Sequence, residues 1–134
     1  MTLVRQLQLY RENQITTTDS CTVLLMLYDG AIEALRRAIS FMALGDMAAK
    51  GRDLLRANDI INQFLASLDH EVGGEIAANL EDLYRFMLEQ ILFANVHNDP
   101  QPLRTVIGLL TTLKSGWDEA IVAQRKKVAQ AGAL

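Results

Sequence analysis

Apolar residues recur along this chain three and four positions apart, the spacing of a helix that buries one face, and seldom alternate as they do in strands. Leu, Ala, Met, Glu, Gln and Arg dominate, while β-branched residues are scattered. The pattern predicts an all-α fold. Because 134 residues fit one domain, we expect a single helical bundle domain over residues 1–134.

Four long helices are predicted, each separated from the next by helix breakers or capping side chains. Their expected ranges are about 19–44, 47–68, 75–97 and 100 to about 125 or beyond. The expected capping side chains are one of Thr18, Asp19 and Ser20 for the first helix, Asp46 for the second, and Asp99, with Pro100 at the first helical position, for the fourth. Gly45 is expected to end the first helix, and Asp69 to Gly74 to form a turn.

The two ends of the chain are expected to lie outside these long helices. Residues 2–12 are predicted to form a short helix. Residues 13–18 should be extended or irregular because Asn and successive Thr residues disfavour helix. We expect residues 1–18 to act as a mobile N-terminal segment and residues 126–134 to be a frayed tail. Four long helices joined by short turns predict an antiparallel four-helix bundle with a short extra N-terminal helix or segment.

The apolar faces of the four long helices differ in width. The second and fourth carry one stripe each, as ordinary bundle helices do. The first carries apolar residues over an arc of roughly 200°. On the third, Leu88 and Leu92 widen the core stripe on one side, and Phe86 and Phe93 widen it on the other. This excess is either buried by helix rotation or by the N-terminal segment, or it forms a groove for another polypeptide. We favour the groove.

Composition and motifs exclude several other classes of function. The formal charge of −3 and the lack of a basic stripe argue against nucleic-acid binding. No signal peptide or membrane span is recognisable, and Cys21 is the only cysteine, so we expect a protein of the reducing cytoplasm without membrane insertion. The two histidines, His70 and His97, lack ligand partners at helical spacing, and catalytic motifs are missing. We therefore expect no enzyme activity, catalytic residue, metal or cofactor.

Several short motifs, in order over residues 9 to 120, give the chain a specific likeness. They are Tyr10, Asn13–Thr17, Leu24–Ile32, Arg56–Ile61, Ser67–Asp69, Gly73–Leu80, Leu83–Tyr84, Ala94–Asn95 and Gly116–Trp117. In these motifs the chain resembles the FliS family, the bacterial flagellar export chaperones that bind flagellin. The family often has a proline in the first turn of the long helix that begins near Asp19, where this chain has none. That departure bears on where the helix starts rather than on the fold.

The resemblance implies a function and a partner. It implies a bacterial cytoplasmic chaperone that holds the disordered C-terminal segment of flagellin, prevents premature polymerisation and supports delivery to the flagellar type III export apparatus. An alternative is a helical-bundle adaptor that binds another flagellar regulator or an export component. The oligomeric state is expected to be a monomer or a weak homodimer.

Residues that match family motifs or widen the apolar faces are the expected contacts with the partner. They are Tyr10, Asn13, Ile15, Leu24, Tyr28, Ile32, Leu88 and Leu92. Tyrosines combine a large apolar area with one hydrogen bond, as interface anchors often do. For Tyr28 and the four leucine and isoleucine positions on the long helices, Leu24, Ile32, Leu88 and Leu92, the competing interpretation is burial in the bundle core. For Tyr10 it is packing of the N-terminal segment on its own bundle. Trp117 is assigned to structure.

Overall fold

The computed structural model describes residues 3–5, 7 and 18–132, and nearly all of them are helical. The helices that it bounds are α1 (Thr18–Leu44), α2 (Met47–Ala66), α3 (His70–Gly73), α4 (Glu75–His97) and α5 (Gln101–Gly132). Residues 3–5 and 7 are also helical. This part of the chain contains no strand, which confirms the predicted all-α class.

Backbone geometry and side-chain caps explain the predicted ends of the helices. Gly45 adopts a φ of 74°, a left-handed conformation that favours glycine, directly after α1. The Asp46 carboxylate accepts a hydrogen bond from the Ala49 N–H at 3.1 Å and so caps α2. Asn98, with a φ of 49°, ends α4, and the Asp99 carboxylate accepts from the Gln101 N–H at 2.9 Å at the start of α5.

Three predicted bounds are corrected. Helix α1 begins at Thr18, so the backbone of all three capping candidates, Thr18, Asp19 and Ser20, lies within it. Helix α2 ends at Ala66, two residues early, because Ser67 closes its last turn by donating its N–H to Gln63 and Phe64. Helix α5 begins at Gln101, one residue after Pro100.

The predicted turn differs from the structure, and α5 extends into the predicted tail. The predicted turn contains α3, because the Asp69 carboxylate accepts hydrogen bonds from the Glu71 and Val72 N–H groups, each at 3.1 Å, and so caps one helical turn. The predicted tail begins inside α5, which continues to Gly132. Lys, Ala and Gln residues, which favour helix, dominate this extension. Residues 133–134 lie outside the described part.

The four long helices form a ring in which each packs against two others. Helix α1 contacts α2 and α5, and α4 also contacts α2 and α5, so α1 and α4 occupy opposite corners. Short connections alternate the helix directions, as expected for an antiparallel four-helix bundle. One aromatic residue from each long helix meets in the centre: Tyr28, Phe64, Tyr84 and Trp117.

The described N-terminal residues pack on α5. Leu7 is fully buried and Leu3 is half-buried. Gly116 permits this close approach, because a Cβ at that position would lie 2.7 Å from Leu7 Cδ1 and 3.5 Å from Leu3 Cδ2. The segment predicted to form a short helix over residues 2–12 is therefore helical where it is described, and its other residues lie outside the described part. Residues 13–17, from the stretch predicted to be irregular, also lie outside it.

Candidate partner-binding groove

An open groove of about 590 Å³ runs along the surface between α2 and α4. It is lined by Gly51, Leu54, Leu55 and Asn58 of α2 and by Leu88, Glu89, Ile91, Leu92 and Asn95 of α4. The two helices pack against each other through their core stripes, so the groove follows the seam on their outer side. A segment that entered it would contact both helices at once.

The walls of the groove are apolar and exposed. Leu55 of α2 is 61% exposed and Leu92 of α4 is 64% exposed, while Leu88 is half-buried between them and the core. Gly51 has no side chain and no heavy atom within 4 Å of where its Cβ would be, so the groove stays open beside it. Large apolar side chains gathered at an exposed seam are typical of a protein interaction site.

Three polar side chains stand among these leucines. Asn58 and Asn95 offer amides from opposite walls, and Asn95 is exposed. The carboxylate of Glu89 is exposed and forms no ion pair with any residue that the structure describes. Such groups can fix the orientation and register of a docked helix, while the leucines supply most of the buried area.

A buried lysine lies beside one end of the groove, next to Gly51 in the chain and bonded to Asn95. Lys50 is 5% exposed, next to Gly51 on α2. Its ammonium donates hydrogen bonds to the Asn95 carbonyl at 3.4 Å and to the Asn98 side-chain oxygen at 3.3 Å. The lysine therefore lies at the C-terminal end of α4, where a cation is favoured by the helix dipole.

The predicted contact residues fall into four groups. Leu88 and Leu92 line the groove, and Leu24 is half-buried on α1, packed against the core. Tyr28 and Ile32 lie in the core, 0% and 6% exposed, so they present almost no surface in this conformation. The last three predicted contacts, Tyr10, Asn13 and Ile15, lie outside the described residues.

Hydrogen bonds and stacking hold Tyr28 in the core. Its hydroxyl lies 2.6 Å from that of Tyr84 and accepts a hydrogen bond from Trp117 Nε1 at 2.9 Å. Its ring stacks on Phe64, with centroids 4.5 Å apart. Burial raises the pKa of Tyr28 to about 12, although its two hydrogen bonds act in the opposite direction. These contacts give Tyr28 a structural role, and Trp117 is structural as predicted.

A comparison with protein-family models matches residues 3–125 to the family described as "Flagellar protein FliS". The chain belongs to the FliS family. The match includes both walls of the groove and all the long helices except the end of α5. The resemblance inferred from the sequence motifs is therefore confirmed.

Several curated relatives share most of their length with the chain. The flagellar secretion chaperone FliS of Salmonella typhimurium is 42% identical over 109 residues, which cover 81% of each chain. That of Vibrio cholerae is 41% identical over 108 residues, 81% of this chain and 79% of its own. The Bacillus subtilis FliS is 30% identical over 117 residues, 87% of this chain and 86% of its own.

Sequence reasoning missed the α2 wall of the groove. The pattern placed the excess apolar surface on α1 and α4, whereas the open seam lies between α4 and α2. Leu55 was the residue that could have indicated this wall, because it lies about 100° around the helix from Leu54 and therefore off the core stripe. An unexplained leucine on an otherwise polar flank, beside Gly51, indicates an exposed contact surface.

Residues 3–5, 7 and 18–132 hold no group of three or more His, Cys, Asp or Glu side chains that could bind a metal ion. Within those same residues, no helix combines the length and apolar character needed to cross a membrane. Cys21 is buried, as expected for a small apolar core residue.

Proposed function

We propose that this chain is a cytoplasmic export chaperone that binds the disordered C-terminal segment of flagellin, prevents its premature polymerisation and supports its delivery to the flagellar type III export apparatus. The observation that carries the proposal is the exposed apolar groove between α2 and α4 in a member of the FliS family. The curated relatives are named flagellar secretion chaperones, which supports the export role. Neither the family nor the groove suggests an enzymatic step.

The shape of the groove suits an amphipathic helix. Its α2 wall runs from Gly51 to Asn58, two turns of helix or roughly 10 Å. A helix laid along the seam would insert apolar side chains at i, i+3 or i+4, and i+7 between Leu55 on one side and Leu92 on the other. This helix-in-groove contact needs no nucleotide and no covalent chemistry.

Coupled folding and binding explains how such a groove protects the flagellin segment. A disordered segment loses conformational entropy when it folds on a surface, which costs about 2–5 kcal/mol or more. Burial of the segment's apolar face against the groove offsets that cost. While bound, the same apolar face is withheld from other flagellin molecules, so polymerisation is blocked until the segment is released.

The residues proposed as groove contacts are those whose side chains are exposed or half-buried along it. Leu88 and Leu92 are retained as contacts, and Leu55 is added from the opposite wall. Tyr10, Asn13 and Ile15 remain proposed contacts on the basis of their matched sequence motif alone. Leu24, Tyr28 and Ile32 are proposed to act through the bundle core, which holds the groove's walls in position. A regulator or export component as the client remains the alternative outcome.

Calorimetric titration with a peptide of the flagellin C-terminal segment tests the proposal. We expect micromolar or tighter binding, accompanied by a gain of helix in circular dichroism. Leu92→Glu should weaken binding by about tenfold or more, because it places a charge in the apolar seam. Val128→Glu is the matched control, since Val128 is 66% exposed on α5 and outside the groove, against 64% for Leu92.

Two results would count against the proposal. One is the absence of binding by the wild-type chain at micromolar concentrations. The other is equal loss of affinity in Leu92→Glu and Val128→Glu, which would indicate a general charge effect rather than a groove. Both variants should keep the wild-type melting temperature within a few degrees, because exposed positions contribute little to stability.

A further inference from the structure

Lys50 is a buried cation without a carboxylate partner among the described residues. It is 5% exposed, yet its two hydrogen-bond acceptors are the Asn95 carbonyl and the Asn98 amide oxygen, both neutral and at 3.3 to 3.4 Å. No ion pair joins it to any Asp or Glu of the described chain. Buried charges are usually paired, so this arrangement is incomplete.

The carboxylates close to Lys50 along the chain or at the end of α4 are engaged elsewhere. Asp53, three residues further along α2, pairs with Arg37 at 3.2 Å. Asp46 accepts from the Ala49 N–H at the start of α2, and Asp99 accepts from the Gln101 N–H at the start of α5. Each therefore caps a helix instead of neutralising the lysine. The C-terminal dipole of α4 supplies only about half a unit of negative charge.

The Lys50 ammonium lies beside the end of the groove, where a docked segment would end. Asn95 both lines the groove and accepts from Lys50 through its carbonyl, and Gly51 lines the opposite wall next to Lys50 along the chain. The Asn98 side chain is exposed, so it can rotate away and leave its position near the ammonium to another oxygen. A carboxylate there would make a charge-assisted hydrogen bond, which is stronger than the amide contact.

We infer that Lys50 recognises an acidic side chain of the helix that occupies the groove, at the end of the groove marked by Asn95 and Asn98. The inference rests on the proposed function, because it assigns chemistry to the same groove. It requires the client helix to carry an Asp or Glu one or two turns from its groove-filling apolar residues. The leucines then supply affinity, and the lysine fixes direction and register.

Two variants change the charge at this site in different ways. Lys50→Met keeps a long apolar stem and removes the ammonium. Asn98→Asp places a carboxylate oxygen where the amide oxygen now accepts, 3.3 Å from the Lys50 ammonium, and Asp tolerates the left-handed backbone of this position. The controls are Arg52→Met, which removes an exposed charge from α2, and Asn79→Asp, which adds one to an exposed position of α4.

Titration of the full-length variants with the flagellin C-terminal peptide tests the inference. We expect Lys50→Met and Asn98→Asp each to weaken binding by about tenfold and to flatten its dependence on salt, while the two controls bind like wild type. Asn98→Asp should also raise the melting temperature, because it pairs the buried cation. That second readout keeps the test informative if Lys50→Met folds poorly.

Variants of the peptide identify which of its carboxylates contacts Lys50. Replacing its Asp and Glu residues with Asn and Gln should weaken binding to wild type and have little effect on binding to Lys50→Met. Loss of affinity on C-terminal amidation alone would assign the contact to the terminal carboxylate and overturn the inference. Wild-type affinity and salt dependence in both variants would also overturn it. If the wild-type chain fails to bind the peptide, the proposed function itself fails.

Discussion

The hydroxyl of Tyr28 on α1 lies 2.6 Å from the hydroxyl of Tyr84 on α4, across the centre of the bundle. The two helices occupy opposite corners of the ring, so this hydrogen bond joins elements that are not packed neighbours. Trp117 of α5 donates to the same Tyr28 oxygen, and Phe64 of α2 stacks on the Tyr28 ring and packs at a tilt against the Tyr84 ring. A polar group at the centre of an apolar core favours one register of the four helices over others.

Tyr28→Phe should destabilise the fold by about 1–3 kcal/mol, because it leaves the buried Trp117 N–H without this acceptor while keeping the ring. Chemical denaturation measures the change in free energy of unfolding. A double-mutant cycle with Tyr84→Phe should show coupling between the two hydroxyls. Since Tyr28 is fully buried, peptide affinity of the folded variant should change little. A large loss of affinity with unchanged stability would instead make Tyr28 a contact residue, as the sequence suggested.

Alkaline pH should destabilise the protein through Tyr28. Its pKa is raised to about 12 in the folded state, above the ordinary value of 10.0, so the folded state holds the proton more tightly. This contribution to stability is complete below pH 10 and is lost as the pH rises toward 12. The slope approaches about 1.4 kcal/mol per pH unit, or roughly 2–3 kcal/mol in all.

Denaturation curves of wild type and Tyr28→Phe at several pH values isolate this contribution from that of other groups. The difference in stability between the two proteins should shrink as the pH rises above 10, because Phe cannot ionise. A constant difference up to pH 12 would contradict the assignment.

Helix ends and fold class were predictable because they depend on local chemistry. Gly45 and Asp46 mark the α1–α2 turn through a left-handed backbone and a side-chain cap, both of which act within a few residues. The one-turn α3 was missed because Asp69 was interpreted as a turn residue, and the same carboxylate that starts a turn can also cap a helix.

The groove could be predicted only in part, because periodicity does not show which flank of a broad apolar helix a neighbour covers. Tyr28 and Leu92 both lie on such broad arcs, yet one is 0% exposed and the other 64%. The difference follows from the order of helices around the ring, which places the open seam beside α2. The contacts of Tyr28 with Tyr84 and Trp117 span 56 and 89 residues, beyond any local pattern.

Substitutions at Gly108 and Gly116 should separate helix propensity from packing on α5. Gly108→Ala should stabilise the protein by about 0.5–1 kcal/mol, because its Cβ would meet no heavy atom within 4 Å. Gly116→Ala should gain less, because its Cβ would lie 2.7 Å from Leu7 Cδ1 and the leucine must shift. Denaturation measures both, and hydrogen exchange at the Leu7 amide should accelerate only in Gly116→Ala. Equal gains with unchanged exchange would show that Leu7 does not depend on this glycine.

Filling the groove should affect stability and binding in opposite directions. Gly51→Leu replaces a poor helix former in α2, and no heavy atom lies within 4 Å of the added Cβ, so the free energy of unfolding should rise by up to about 1 kcal/mol. The new side chain occupies space that a docked helix needs beside Leu55 and Leu92. Affinity for the flagellin peptide should therefore fall by about tenfold or more. Gly108→Leu makes the same change on an exposed position of α5, outside the groove, and should bind the peptide like wild type. If both leucine variants bind equally well, the client does not occupy the seam between α2 and α4.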